Sequence, residues 1–130
     1  MGNFDIHFVG RIDINLYKAI VPDIATDIVI ITDERVQHIR QRHPNDYEQH
    51  QRYMCELVET PDYILEANRP HSVVLLKAFS EEGKQFKAIL RLHMSTDDSN
   101  YQNSIITFMK IRASKYEQYK RTKIILYKRE

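Results

Sequence analysis

The sequence predicts an α+β fold, with N-terminal helices followed by a four-stranded antiparallel β-meander. Two observations carry that expectation. Helical periodicity with recognisable start and stop signals is concentrated before Pro61, and four apolar or β-branched runs follow it. The short connections between those runs point the same way, and no repeat or low-complexity tract interrupts the chain.

Taken in order, residues 5–31 combine short apolar stretches with Pro22 and are expected to form a capping segment with a short helix around 16–20. A helix is expected over 33–43. Thr32 is placed to accept from an early backbone N–H, Asp33 and Glu34 complement the positive end of the dipole, and Pro44 stops the helix. At about 100° per residue, Val36, Ile39 and His43 share an apolar stripe, while Arg35, His38 and Arg42 share a cationic one. A second helix is expected from Asn45, with Glu48 reaching back as in a capping box. It carries Tyr47, Tyr53, Met54, Leu57 and Val58 and ends at Pro61. The four strands are expected at 73–79, 85–94, 103–112 and 122–127. They are separated by Glu81-Glu82-Gly83-Lys84, a polar loop over 95–101, and a basic connection over 113–121.

A chain of 130 residues, 42% hydrophobic and 28% charged, is expected to form one domain, 1–130, with a core of its own. The single cysteine, Cys55, excludes an internal disulfide framework and a Cys–Cys zinc site, which suits a cytoplasmic protein. No apolar run reaches the roughly 18 residues of a membrane span, and the N-terminus lacks the order of a signal peptide.

The net charge of +1 conceals an uneven distribution. Residues 1–34 carry six acids against two bases, whereas 110–130 carry eight bases against Glu117 and Glu130. Lys120, Arg121 and Lys123 form the centre of that basic end. Tyr116, Tyr119 and Tyr127 are interleaved with it, a combination that suits phosphate contacts and base stacking in single-stranded nucleic acid, with a plainly solvated basic surface the equal alternative. Strand phase adds further cations. On the run 85–94, Phe86, Ala88, Leu90 and Leu92 make one face, and Lys87, Ile89, Arg91 and His93 make the other. Lys77 follows four aliphatics in the preceding strand, and Thr107 interrupts the apolar run of the next.

The densest chemistry lies at 38–44, His-Ile-Arg-Gln-Arg-His-Pro. His38 sits on the exposed cationic stripe; His43 sits on the apolar one, where a core histidine is as good a reading as a catalytic one. His7, His50, His71 and His93 lack comparable neighbours. A metal site is disfavoured because His38 and His43 diverge by about 140° around a helix, unlike the i, i+4 pairs of metal-binding helices. Only three glycines are present and they do not cluster, so no phosphate-cradling loop is expected, and no cofactor either.

The order Val29-Ile30-Ile31-Thr32-Asp33-Glu34-Arg35, His38-Ile39, Arg42-His43-Pro44, Pro61-Asp62, Ile64, Lys77 and Ile105-Ile106-Thr107-Phe108 resembles the phage-associated branch of the barnase/EndoU/colicin/RelE-like ribonucleases. The resemblance spans roughly residues 6–128. It implies metal-independent RNA cleavage in a sheet-lined cleft, and it points to His38, Arg42, His43 and Thr107. Lys77 and Arg91 join that set from strand phase. Such a reaction needs a base for the 2′-OH, an acid for the leaving 5′-oxygen, and cations for the phosphoryl oxygens. His38 is expected to serve as acid or base, Arg42 and Arg91 as phosphate clamps, Lys77 as an additional cation, and Thr107 as a hydroxyl donor. RNA is the expected partner, with an immunity protein or antitoxin to restrain a toxin-like enzyme. The alternative is a non-catalytic RNA-binding or regulatory module using the same basic cleft.

Overall fold

The chain opens on a strand. In the computed structural model, which describes residues 5–98 and 101–129, β1 (Ile6–Arg11) pairs antiparallel with β2 (Ile28–Thr32). Between them α1 (Ile14–Ile20) is capped by Asp13, whose carboxylate accepts from the Leu16 N–H at 3.1 Å. Next come α2 (Asp33–Arg42), α3 (Asp46–His50), a 3-10 turn (Gln51–Tyr53) and α4 (Met54–Glu59). The remainder is β3 (Tyr63–Glu66), β4 (Ser72–Phe79), β5 (Lys84–Arg91), β6 (Asn103–Ile111), α5 (Ala113–Thr122) and β7 (Ile125–Lys128). Ser99 and Asn100 of the expected polar loop, and Glu130 of the basic end, lie outside the described residues.

Seven strands form one mixed sheet in the order β1-β2-β6-β5-β4-β3-β7, with β2 and β6 parallel and the other neighbours antiparallel. The expected architecture of N-terminal helices followed by a four-stranded antiparallel meander is therefore wrong. Its errors have local causes. β2 occupies the end of the expected capping segment, because its five residues are almost continuously apolar, without alternation, and pass directly into the helix cap. β1 shows no alternation, with residues 6–8 all exposed at the sheet edge. β3 is only four residues long and follows Pro61 closely. α5 was expected as a loop because its ten residues, ASKYEQYKRT, hold no branched aliphatic; two tyrosines three apart provide its packing face. The strand expected over 122–127 begins at Ile125 and lies beside β3 at the far edge, not beside β6.

The helix expected over 33–43 is present as α2. Thr32 Oγ1 accepts from the Arg35 N–H at 3.3 Å, and His43 is the C-cap. The second expected helix breaks into α3, the 3-10 turn and α4. Asn45 sits at φ 68° and makes no side-chain cap, while Glu48 is engaged by Arg40 instead of its own N-terminus. The β4–β5 hairpin closes on Gly83 at φ 65°, a left-handed position that glycine takes without strain.

The main core fills the space between the sheet and α1–α4. Phe86 stacks on Phe108 at 5.5 Å and on Tyr53 at 4.8 Å, and Leu57, Ile64, Leu75 and Ile105 are fully enclosed around them. Asn103, also fully buried, staples the sheet to the loop before β2. Its Oδ1 accepts from the His93 N–H at 2.7 Å, and its Nδ2 donates to the carbonyls of Thr26 and Ile28 at 2.8 and 3.0 Å. A smaller cluster on the other sheet face packs Tyr116 of α5 against Tyr63, Leu65, Val74 and Leu76.

His50 is buried edge-on against Phe86 at 5.2 Å, and burial, then Lys84, lower its pKa. The unfolded chain therefore binds this proton more readily than the folded one. Stability from the neutral imidazole is complete above the unfolded value of about 6.5 and declines as pH falls below it. Thermal melts from about pH 7.5 down to about pH 5 should show a falling Tm, and His50→Phe should flatten the decline. Equal slopes in the two proteins would exclude His50 as the source.

Candidate functional site

Alternation sends Lys87, Ile89 and Arg91 of β5 away from the main core, onto the sheet face that α5 covers only in part. Ser72 and Val74 of β4 stand opposite Arg91 and Ile89, and Thr107 of β6 stands opposite Ile89. The uncovered part of this face is a cleft of about 820 Å³. Arg35 enters it from α2, Arg69 and His71 from the β3–β4 loop, Lys87 and Arg91 from β5, and Lys123 from the segment after α5. Five cations and one imidazole thus converge from four parts of the chain. Among the described residues, no carboxylate lines this cleft.

Backbone geometry explains how these groups are held. His71 adopts φ 60°, and its carbonyl accepts from the Leu92 N–H at 2.7 Å, which ties the β3–β4 loop to the end of β5 beside Arg91. A non-glycine residue in the left-handed region is uncommon and costs on the order of 1 kcal/mol, a cost often met at functional positions. Lys87 Nζ donates to the Tyr119 hydroxyl at 3.0 Å and lies 5.2 Å from its ring. Lys123 Nζ donates to Asn68 Oδ1 at 3.2 Å, closing the cleft between α5 and the β3–β4 loop. Between the pairs Ile89–Thr107 and Leu90–Ile105, a bulge leaves Ile106 as an extra residue, and Ile106 contributes to the cleft floor.

The residues singled out in the sequence are distributed unevenly. Arg91 and Lys123 line the cleft, and Thr107 lies on the same sheet face. His38 and Arg42 are exposed on α2, three and seven residues beyond Arg35 on the stripe that Arg35 leads into the cleft. His43 is half-buried at the helix end, where its N–H donates to the Ile39 carbonyl at 2.8 Å. Lys77 belongs to the opposite side of the sheet: it is 4% exposed, donates to the Thr60 carbonyl at 2.6 Å, and lies 3.7 Å from Asp62. Asp62 also accepts from the Ala78 N–H at 2.8 Å and from the Tyr116 hydroxyl at 3.2 Å. Burial and that carboxylate raise the pKa of the Tyr116 phenol.

The basic trio divides. Lys123 faces the cleft, whereas Lys120 lies 5.0 Å from the Tyr63 ring and donates to Glu117 at 3.0 Å. That hydrogen bond raises the Lys120 pKa. Arg121 borders a different depression. Conversely, the structure adds Arg69, and it adds His71, set aside in the sequence for want of comparable neighbours; both lie in a short loop with no periodicity to orient them. The one local signal was a histidine following Pro70 in a polar tract.

A smaller depression of about 330 Å³ on the helix side is lined by His7, Asp33, Arg40, Arg52 and Cys55 among others. Its charges are already matched: His7 Nε2 lies 3.6 Å from Asp33, Arg40 pairs with Glu48, and Arg52 lies 3.9 Å from Glu82. Burial and Glu59 raise the Cys55 thiol pKa, which keeps it from acting as a thiolate nucleophile. Among the described residues, no group of three or more His, Cys, Asp or Glu side chains could hold a metal ion, and no helix is long and apolar enough to cross a membrane.

A sheet-floored cleft with five cations and, among the described residues, no lining carboxylate has the charge that a phosphate backbone would complement. Residues 6–128 match the family described as phage-Barnase-EndoU-ColicinE5/D-RelE like nuclease 2. The chain belongs to this family and is a nuclease. No curated protein and no solved structure matches it.

Proposed function

We propose that this nuclease is a metal-independent endoribonuclease acting at the open sheet face. The observation that carries the reading is the convergence of Arg35, Arg69, Lys87, Arg91 and Lys123 around His71 in a cleft whose described lining holds no carboxylate. Cations placed this way stabilise charge developing on phosphoryl oxygens, and they do so best in a sheltered site. Hard divalent cations are held chiefly by carboxylate oxygens, which the described lining does not offer.

Two proton transfers remain to be served, one from the 2′-OH and one to the 5′-oxygen. Histidine suits both, because its ordinary pKa near 6.5 keeps both forms available around neutral pH. His71 supplies one imidazole from within the cleft. His38, one turn beyond Arg35 on α2 and exposed, supplies the other. Arg91 and Arg35 clamp the phosphate, Arg42 guides the strand along α2, and Thr107 donates its hydroxyl from β6. His43 holds the end of α2, and Lys77 holds the sheet from behind. An endoribonuclease working in the cytoplasm needs restraint, so an immunity protein or antitoxin belongs to this reading.

Incubation of purified protein with RNA in excess EDTA tests it. Cleavage leaving 2′,3′-cyclic phosphate and 5′-hydroxyl ends is expected. Cleavage only after a divalent ion is restored, or cleavage of DNA in preference to RNA, would overturn it, and binding without cleavage would leave a non-catalytic RNA-binding module.

A further inference from the structure

A second cationic depression of about 610 Å³ adjoins the first along α5. Lys110 and Arg112 reach it from the end of β6 and the turn that follows, and Lys115 and Arg121 reach it from α5. Lys87 and Tyr119 line it as well, and these two also line the cleft around His71. Their hydrogen bond of 3.0 Å is thus a wall common to both depressions. Lys115 lies 5.4 Å from the Tyr119 ring and Lys87 lies 5.2 Å from it, so one aromatic side chain organises a cation from the helix and another from the sheet.

The charge pattern is one-sided. Among the described residues, none of the nine Lys and Arg side chains lining the two depressions lies within 4.0 Å of a carboxylate, whereas Arg11, Arg40, Lys77, Lys120 and Arg129 each do. No acidic residue lines either depression among those described. Unpaired like charges gathered at a surface repel one another, and that repulsion is relieved by a ligand that is itself a chain of regularly spaced anions.

We infer that the two depressions form one continuous track, in which a single-stranded RNA whose scissile phosphate lies in the His71 cleft crosses the Lys87–Tyr119 wall and continues along Lys110, Arg112 and Arg121. This rests on the endoribonuclease reading and extends it, because it makes the substrate a single strand longer than the reacting dinucleotide. A strand filling both depressions runs along much of α5, whose ten residues rise about 15 Å, so it needs a footprint of several nucleotides. The consequence is a length preference. Short oligonucleotides fill the cleft alone, and longer ones gain the second set of phosphate contacts.

The test uses 2′-O-methyl oligonucleotides, which bind but lack the attacking hydroxyl, labelled for fluorescence anisotropy. Wild-type protein should bind a dodecanucleotide at least tenfold more tightly than a trinucleotide. The variant K110Q/R112Q/R121Q, at three exposed positions, should lose that gain while its trinucleotide affinity changes less than about twofold. Its slope of log affinity against log salt for the dodecanucleotide should flatten by about two, at roughly 0.7 per phosphate contact removed on a single strand. A length gain that survives in the folded variant, or no length gain in the wild type, would overturn the track. Either result is separable from failure of the endoribonuclease reading, which the EDTA cleavage reports independently of length.

Discussion

Replacing His71 with asparagine is expected to lower kcat for RNA cleavage by about 10²- to 10⁴-fold, the usual cost of losing a general acid or base. Asparagine is the informative substitute, because the backbone at φ 60° must stay left-handed and asparagine visits that region more readily than alanine. The β3–β4 loop should therefore keep its bond to Leu92, and Tm should shift by no more than about 2 °C. His38→Ala should reduce kcat to a comparable extent with little change in Tm, since His38 is exposed on α2. If the histidines serve the two ends of one proton-transfer sequence, the double variant should be far less than multiplicatively impaired. Single-turnover cleavage of a defined RNA measures all three. Cleavage at the wild-type rate by folded H71N would remove His71 from the chemistry and return the acid–base work to α2 alone.

Lys77→Ala is expected to cost about 3 kcal/mol of stability, since it removes one partner from a buried polar hub. The side chain is 4% exposed and its ammonium serves the Thr60 carbonyl directly, with Asp62 and Glu56 at 3.7 and 3.8 Å. Without it the Thr60 carbonyl loses its charged donor and the space of the alkyl stem is left empty. Asp62 keeps the Ala78 N–H and the Tyr116 hydroxyl, which limits the loss. Lys77→Met should recover part of the difference by restoring the stem, at the cost of the hydrogen bond. Urea denaturation of the three proteins decides the matter. An unchanged midpoint in Lys77→Ala would show that the hub contributes nothing, and a rate loss larger than the stability loss would restore Lys77 to the reaction.

Elements with strong local signals were legible in the sequence. The start and stop of α2 follow from Thr32, Asp33, Glu34 and Pro44, all within one or two residues of the groups they satisfy. The cores of β4, β5 and β6 follow from apolar runs long enough to outweigh their surroundings, and the phase of β5 correctly separated Phe86 and Leu90 from Lys87 and Arg91. The same phase argument had nothing to hold in β4. Residues 73–77 are buried on both faces, beneath α4 on one side and α5 on the other, so alternation vanishes there and the strand phase that grouped Lys77 with Arg91 does not hold.

The sequence by itself determined the family, the existence of α2 and its cationic stripe, and the basic character of the C-terminal end. Each is written in short-range order or composition, which needs no partner elsewhere in the chain. The tertiary structure alone decided the seven-strand order, because pairing β2 with β6 and β3 with β7 joins residues 60 or more positions apart whose match is one of register and burial. It also decided which cations work together. A side chain's direction depends on what packs behind its backbone, and only the folded sheet turns Arg35, Arg69, His71 and Arg91 into one cleft while enclosing Lys77 behind it.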